Sequence, residues 1–241
     1  GSITITDGAN GNIAITPNGT GAIQLDGLSW PTADGSADQV LKTDGSGALS
    51  WTAASSGASN VNGLSDALIE DNSLYLGQDP SSTTSTAEYN LSLGATALDA
   101  VTTGDGNTAV GFNALTANTS GEGNVAIGYN TLAANTTASQ NLAMGYNALA
   151  IQTTDGEYNT AVGNYTLDNN TIGDRNVALG YVALTANSEG SKNTGIGTSS
   201  SKANTTGSQN TSVGNSSLYS NTSASYNTAI GGRALYNANR T

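Results

Sequence analysis

The chain has 241 residues, with 18 acids against 6 bases for a net charge of −12, and no histidine or cysteine. That inventory excludes disulfide staples, thiolate and histidine acid/base chemistry and cysteine–histidine zinc sites, and the lack of a basic patch argues against nucleic acid as a ligand. Leu, Ile, Val and Phe make up less than a fifth of the chain, a composition usually associated with disorder. No apolar run approaches the ~18 residues of a membrane span, and no charged n-region leads an apolar h-region, so neither membrane insertion nor a cleavable signal is expected.

In chain order, residues 1–29 carry a ten-residue rhythm: Ile3 and Ile5, Ile13 and Ile15, then Ile23 and Leu25. Such pairs are short alternating strands separated by the turn-rich DGANGN and PNGTG. A ribbon this narrow buries almost nothing alone, which points to interlocking with sister chains.

Residues 30–60 are read as a small β-hairpin module followed by a Ser/Ala/Gly linker. Gln39–Thr43 and Ala48–Thr52 flank DGSG, a four-residue hairpin turn, and the two tryptophans, Trp30 and Trp51, are expected to anchor its core. Residues 61–89 form a connector, with a short helical turn expected at Ser65–Glu70 under a Ser65 N-cap and a strand at Ser73–Leu76.

From residue 90 to residue 241 one unit recurs nine times, with leading asparagines at Asn90, Asn107, Asn124, Asn141, Asn159, Asn176, Asn193, Asn210 and Asn227. The period is 17 residues, with a single interval of 18 between Asn141 and Asn159. A disordered chain has no reason to keep nine copies in register, so the repeat outweighs the composition. Counting the leading Asn as place one, place three is Ala, Ser or Gly, place four is aliphatic or Met, place five is always Gly, place nine is Leu except at Ser201, and a second Asn recurs at place twelve.

Asn, Thr, Ser and Gly dominate the unit and no 3.6-residue apolar face develops, so helix is disfavoured. The unit reads as one coil of a parallel β-solenoid. Places two and four are expected to form the apolar face of a short strand, glycine at place five the bend, and Leu at place nine a second strand. The two asparagines are expected to stack as ladders along the axis. Nine coils at about 4.8 Å each make a rod on the order of 40 Å long. Each coil offers roughly two buried aliphatics at about 1.5–3 kcal/mol apiece against about 1–2 kcal/mol per residue for ordering backbone. A single coil must lose, and a thin roll calls for cover from further chains.

The motif Asn-x-Ala-aliphatic-Gly, as in NTAVG at Asn107 and NVAIG at Asn124, resembles the head repeats of trimeric autotransporter adhesins. Their fold is a left-handed β-roll in an obligate trimer. The 17-residue form carrying NALxxNT is more similar to repeats of phage tail-fibre proteins, and GLSWPTADGSADQVLKTDGSGALSW, from Gly27 to Trp51, also resembles a segment of marine phage tail fibres. The resemblance implies an all-β homotrimeric fibre in the virion, extracellular, with tail-fibre or baseplate proteins and a host-surface glycan or protein as partners. The alternative it leaves is a bacterial surface adhesin. In such fibres a C-terminal module often follows the repeats, and the ninth unit is two residues short of complete, so a longer parent chain is expected.

No cofactor, metal site or paired-carboxylate motif is expected, and no enzyme activity. The coil acids Asp105, Glu122, Asp155, Glu157, Asp174 and Glu189 fall near the return turn, where solvated turn residues are favoured over calcium ligands. Place six holds Phe112, Tyr129, Tyr146 and Tyr181. A stacked aromatic row there could bind sugar rings, or it could line the core or a chain interface, the reading preferred. Threonine rows at places two and thirteen admit ice binding as a minor alternative.

Overall fold

The computed structural model describes residues 24–25, 28–31, 33, 35–37, 39–53, 67–70, 72–77 and 86–238. The ten-residue rhythm lies outside the described residues up to Ile23, as do the linker at 54–60, Ser65 and the lead-in at 79–85. The chain divides into a first unit, 1–59, and a second, 60–241.

In the first unit β1 (Gln24–Leu25) pairs antiparallel with β2 (Leu28–Ser29), and β3 (Gln39–Thr43) with β4 (Leu49–Ala53), Leu41 opposite Trp51. The hairpin turn is held by Asp44, whose Oδ1 accepts from the amides of Ser46 (2.7 Å) and Ala48 (3.0 Å). Trp51 is the anchor: its Nε1 donates to the Ala33 carbonyl at 2.9 Å, and a Cβ at Gly35 would lie 2.6 Å from its indole. Trp30, expected to share this role, is 38% exposed.

The second unit is a parallel β-solenoid of about nine turns. Its sheet runs from β5 (Ala67–Glu70) and β6 (Ser73–Leu76) through β7 (Leu91–Leu93), β8 (Thr108–Val110), β9 (Val125–Ile127), β10 (Leu142–Met144), β11 (Thr160–Val162), β12 (Val177–Leu179), β13 (Thr194–Ile196) and β14 (Thr211–Val213) to β15 (Thr228–Ile230). From β6 onward every pairing is parallel and in register, so Ala109 lies beside Ala126 and Ala126 beside Ala143. The strand expected at Ser73–Leu76 is present. The helical turn expected at Ser65–Glu70 is not: Ala67–Glu70 is a strand antiparallel to β6. Pairing with the neighbouring sheet edge outweighs the weak local helix signal. Tyr75, opposite Ser92 in the register, is fully buried and closes this end of the core.

The strand faces are the reverse of the expected ones. Place three is inside (Ala109, Ala126, Ala143, Ala161 and Ala178 are all 0% exposed), whereas places two and four look outward. Packing between successive coils explains this. Place three faces the place-nine Leu of the preceding coil so closely that a Cβ at Gly195 would sit 3.0 Å from Leu184 Cγ, which leaves room for small side chains only. The core is therefore a row of Leu98, Leu115, Leu132, Leu149, Leu167 and Leu184 with small residues around it.

Leu at place nine lies on no strand. Places seven and nine adopt left-handed backbone (Asn113 φ 56°, Leu115 φ 52°), which breaks the extended conformation. Coil-to-coil hydrogen bonding continues regardless, as from Leu115 N to Thr131 O at 3.0 Å. Gly128 at place five has φ +136°, and a Cβ there would lie 2.5 Å from the Gly145 carbonyl, so only glycine fits the bend.

Both asparagine ladders are present and buried. At place one, Asn90 Oδ1 accepts from Asn107 N (2.8 Å) and Asn107 Oδ1 from Asn124 N (2.9 Å). At place twelve, Asn135 Nδ2 donates to Asn118 Oδ1 at 2.9 Å. In the six coils that carry both asparagines the two converge on one carbonyl: Asn107 and Asn118 both donate to Gly121 O, at 2.9 and 3.0 Å. A buried amide costs stability unless paired, and here the pairing closes those coils and the place-one ladder joins each coil to the next.

Candidate interaction surface

With place three turned in, places two and four form an uncovered apolar stripe along the whole sheet. Leu93 is 48%, Met144 40%, Leu179 47% and Ile230 71% exposed, with Val110, Ile127, Val162, Ile196 and Val213 partly so. Every coil adds one or two such side chains at strand spacing. A continuous apolar surface of this kind marks an interaction site.

Next to the stripe, across the glycine bend, runs the aromatic row. Phe112, Tyr129, Tyr146 and Tyr181 are 46, 43, 42 and 55% exposed, so none lies in the coil's own core. Phe112 and Tyr129 stack with centroids 5.4 Å apart, and Tyr129 and Tyr146 at 5.0 Å and 5°. Between Tyr146 and Tyr181 place six is Asn164, and Tyr165 from place seven continues the row. That ring is tilted 5.3 Å from Tyr146 and edge-on at 6.3 Å to Tyr181. The overlooked signal is the inverted order Asn164-Tyr165 against Tyr146-Asn147. Asn164 takes another task, accepting from the Tyr146 amide at 2.9 Å. Desolvation by the neighbouring residues, reinforced by Tyr146 and Tyr181, raises the Tyr165 phenol above its usual value, so it is neutral at physiological pH. Tyr129 has a ring on either side; sugar stacking needs a free face, so the middle of the row is better suited to packing than to holding sugars.

Asp155, Glu157 and Asp174 line an open cavity of about 410 Å³ with Gly156 and Ile172. Asp174 Oδ1 accepts from the Glu157 amide (2.9 Å), its Oδ2 lies 3.9 Å from Arg175, and that guanidinium sits 5.1 Å over the Tyr158 ring. Among the described residues no group of three or more His, Cys, Asp or Glu is placed to hold a metal ion. The place-thirteen hydroxyls donate to the next coil, Thr119 to Thr136 O at 3.1 Å and Thr171 to Ser188 O at 2.9 Å.

The fold and this surface define a β-solenoid repeat protein with one uncovered apolar face. No protein-family model, curated protein or solved structure matches the chain.

Proposed function

We propose that the chain is a segment of a phage tail fibre, a rigid homotrimeric spacer and adhesin in host-surface attachment, without catalytic activity. The observation that carries this reading is the outward apolar stripe, constant at place four over nine coils, widened at place two by Leu91, Val125, Leu142 and Val177, and covered by nothing in the chain's described residues. Three copies facing one another over their stripes would bury it and add a shared apolar interface to the leucine row inside each roll. The aromatic row, beside the stripe, would fall at the rim between copies. The polar remainder of the coil would form the outside of an extracellular fibre, joined to other tail-fibre or baseplate proteins and directed at a host glycan or protein. The head of a bacterial trimeric surface adhesin shares the Asn-x-Ala-aliphatic-Gly motif and would use the same stripe.

Light scattering on the purified chain tests the assembly, with three times 24.0 kDa expected; a folded monomer overturns it. Antibodies raised against the chain separate the two settings, decorating virion fibres in the first and bacterial cells in the second.

A further inference from the structure

Charge is segregated along the solenoid. Residues 190–241 contain Lys192, Lys202, Arg233 and Arg240 and no acid, while the preceding 189 residues hold all 18 acids against Lys42 and Arg175. Net charge conceals this basic terminal zone. Two of its cations sit in a built arrangement. Lys202, Tyr219 and Tyr236 occupy place ten of three successive coils, and Arg233 approaches from place seven of the last. Tyr219 and Tyr236 stack with centroids 4.9 Å apart at 11°. Lys202 Nζ lies 5.8 Å from the Tyr219 centroid, and Arg233 Cζ 4.9 Å from that of Tyr236. The cations are held by ring faces, and neither forms an ion pair: among the described residues the one ion pair is Arg175 with Asp174.

We propose that the Lys202–Tyr219–Tyr236–Arg233 column binds an anionic polysaccharide, a polymer carrying uronate carboxylates on a cell surface. Lys202 and Arg233 belong to coils two apart, about 9.6 Å along the axis at a coil spacing of about 4.8 Å, close to the advance of two residues in an extended polysaccharide. Carboxylates two residues apart on such a polymer meet Lys202 and then Arg233, and the guanidinium pairs a carboxylate bidentately. The tyrosine edges and hydroxyls offer contacts to sugar hydroxyls between the two charges. Duplex nucleic acid, with one charge per ~1.7 Å, calls for a denser cationic surface than this one. The acid-rich coils before residue 190 repel such a polymer and confine it to the terminal zone.

The inference deepens the attachment reading and rests on it for the source of the polymer, but its readout is independent of oligomeric state. Binding of the full chain to immobilised alginate, to neutral dextran and to duplex DNA is measured by biolayer interferometry at low and high salt. Alginate alone is expected to bind, with affinity falling as salt rises. The double variant Lys202→Gln/Arg233→Gln is expected to weaken alginate binding about tenfold or more, with unchanged circular dichroism and light-scattering mass. Glu122→Gln, far from the column in sequence and placed in a turn, serves as control and leaves binding unchanged. Equal binding of dextran, DNA binding as tight as alginate binding, or an unaffected double variant each overturns the proposal. If the chain is monomeric yet binds alginate through these residues, the trimer falls and the polysaccharide site stands.

Discussion

Gln152 Nε2 donates to the carbonyl of Gly156, four residues further on. At the equivalent place in other coils an asparagine reaches the carbonyl three residues on, as Asn135 does to Ala138 at 3.0 Å and Asn170 to Gly173 at 2.9 Å. The one 18-residue coil thus has a side chain one methylene longer at the point where its backbone is one residue longer. Gln152 Oε1 also accepts from Asn159 and Asn170, at 3.3 and 3.2 Å, so the place-twelve ladder resumes beyond the irregular coil, while the buried Asn135 Oδ1 on its near side is left without a partner. The place-one ladder runs through, Asn141 Oδ1 accepting from Asn159 N at 2.9 Å.

The two changes should therefore be coupled. Gln152→Asn alone, or deletion of Thr154 alone, is expected to cost about 1–3 kcal/mol by leaving buried amides unpaired. Combined, they should largely restore stability, a non-additivity expected of residues sharing one network. Thermal melts of the four proteins test this; additive losses would mean that insertion and glutamine are unrelated.

The inward and outward strand positions predict opposite phenotypes for adjacent residues. Ala126→Leu overpacks the leucine row at Leu115 of the preceding coil and should cost about 1–3 kcal/mol of stability. Ile127→Asp places a charge on the outer stripe, so it should abolish self-association while each coil keeps its strand signal. Circular dichroism and light scattering on the pair separate the two effects, and a destabilised, fully associated Ile127→Asp would contradict the observed faces.

Backbone strain makes a third contrast. Gln140 has φ 60° at place seventeen, where Gly106 (65°) and Gly123 (63°) stand in earlier coils. Left-handed backbone costs a side-chain-bearing residue about 1–2 kcal/mol, offset by the ~0.5–1 kcal/mol of extra chain entropy that glycine loses. Gln140→Gly should thus be neutral or slightly stabilising in chemical denaturation. Gly128→Ala, which brings a Cβ against the Gly145 carbonyl, should be strongly destabilising.

The hairpin of the first unit should respond to acid. The amides of Ser46 and then Ala48 hold the Asp44 carboxyl below its ordinary value. A depressed native pKa contributes stability that is present above the unfolded value, about 3.9, and is lost as pH falls through the native one. Fluorescence of Trp51, which packs on the same hairpin, should report loosening in that range. Asp44→Asn keeps an acceptor but cannot protonate, and should remove the transition.

Period, coil count, the bend at glycine and both asparagine ladders were legible in one sequence, because each depends on an identical residue recurring at the same place. Local stereochemistry and hydrogen-bonding capacity are enough to read them. The strand faces were not. Alternation says that places two and four share a side, but not which side is the core; the narrow gap between place three and the leucine of place nine decided it. Tyr165 joins the aromatic row for the same kind of reason, since the bend lets place seven reach the position place six holds elsewhere. Ala67–Glu70 is extended because β6 offers an edge to pair with, a partner that the local sequence does not display.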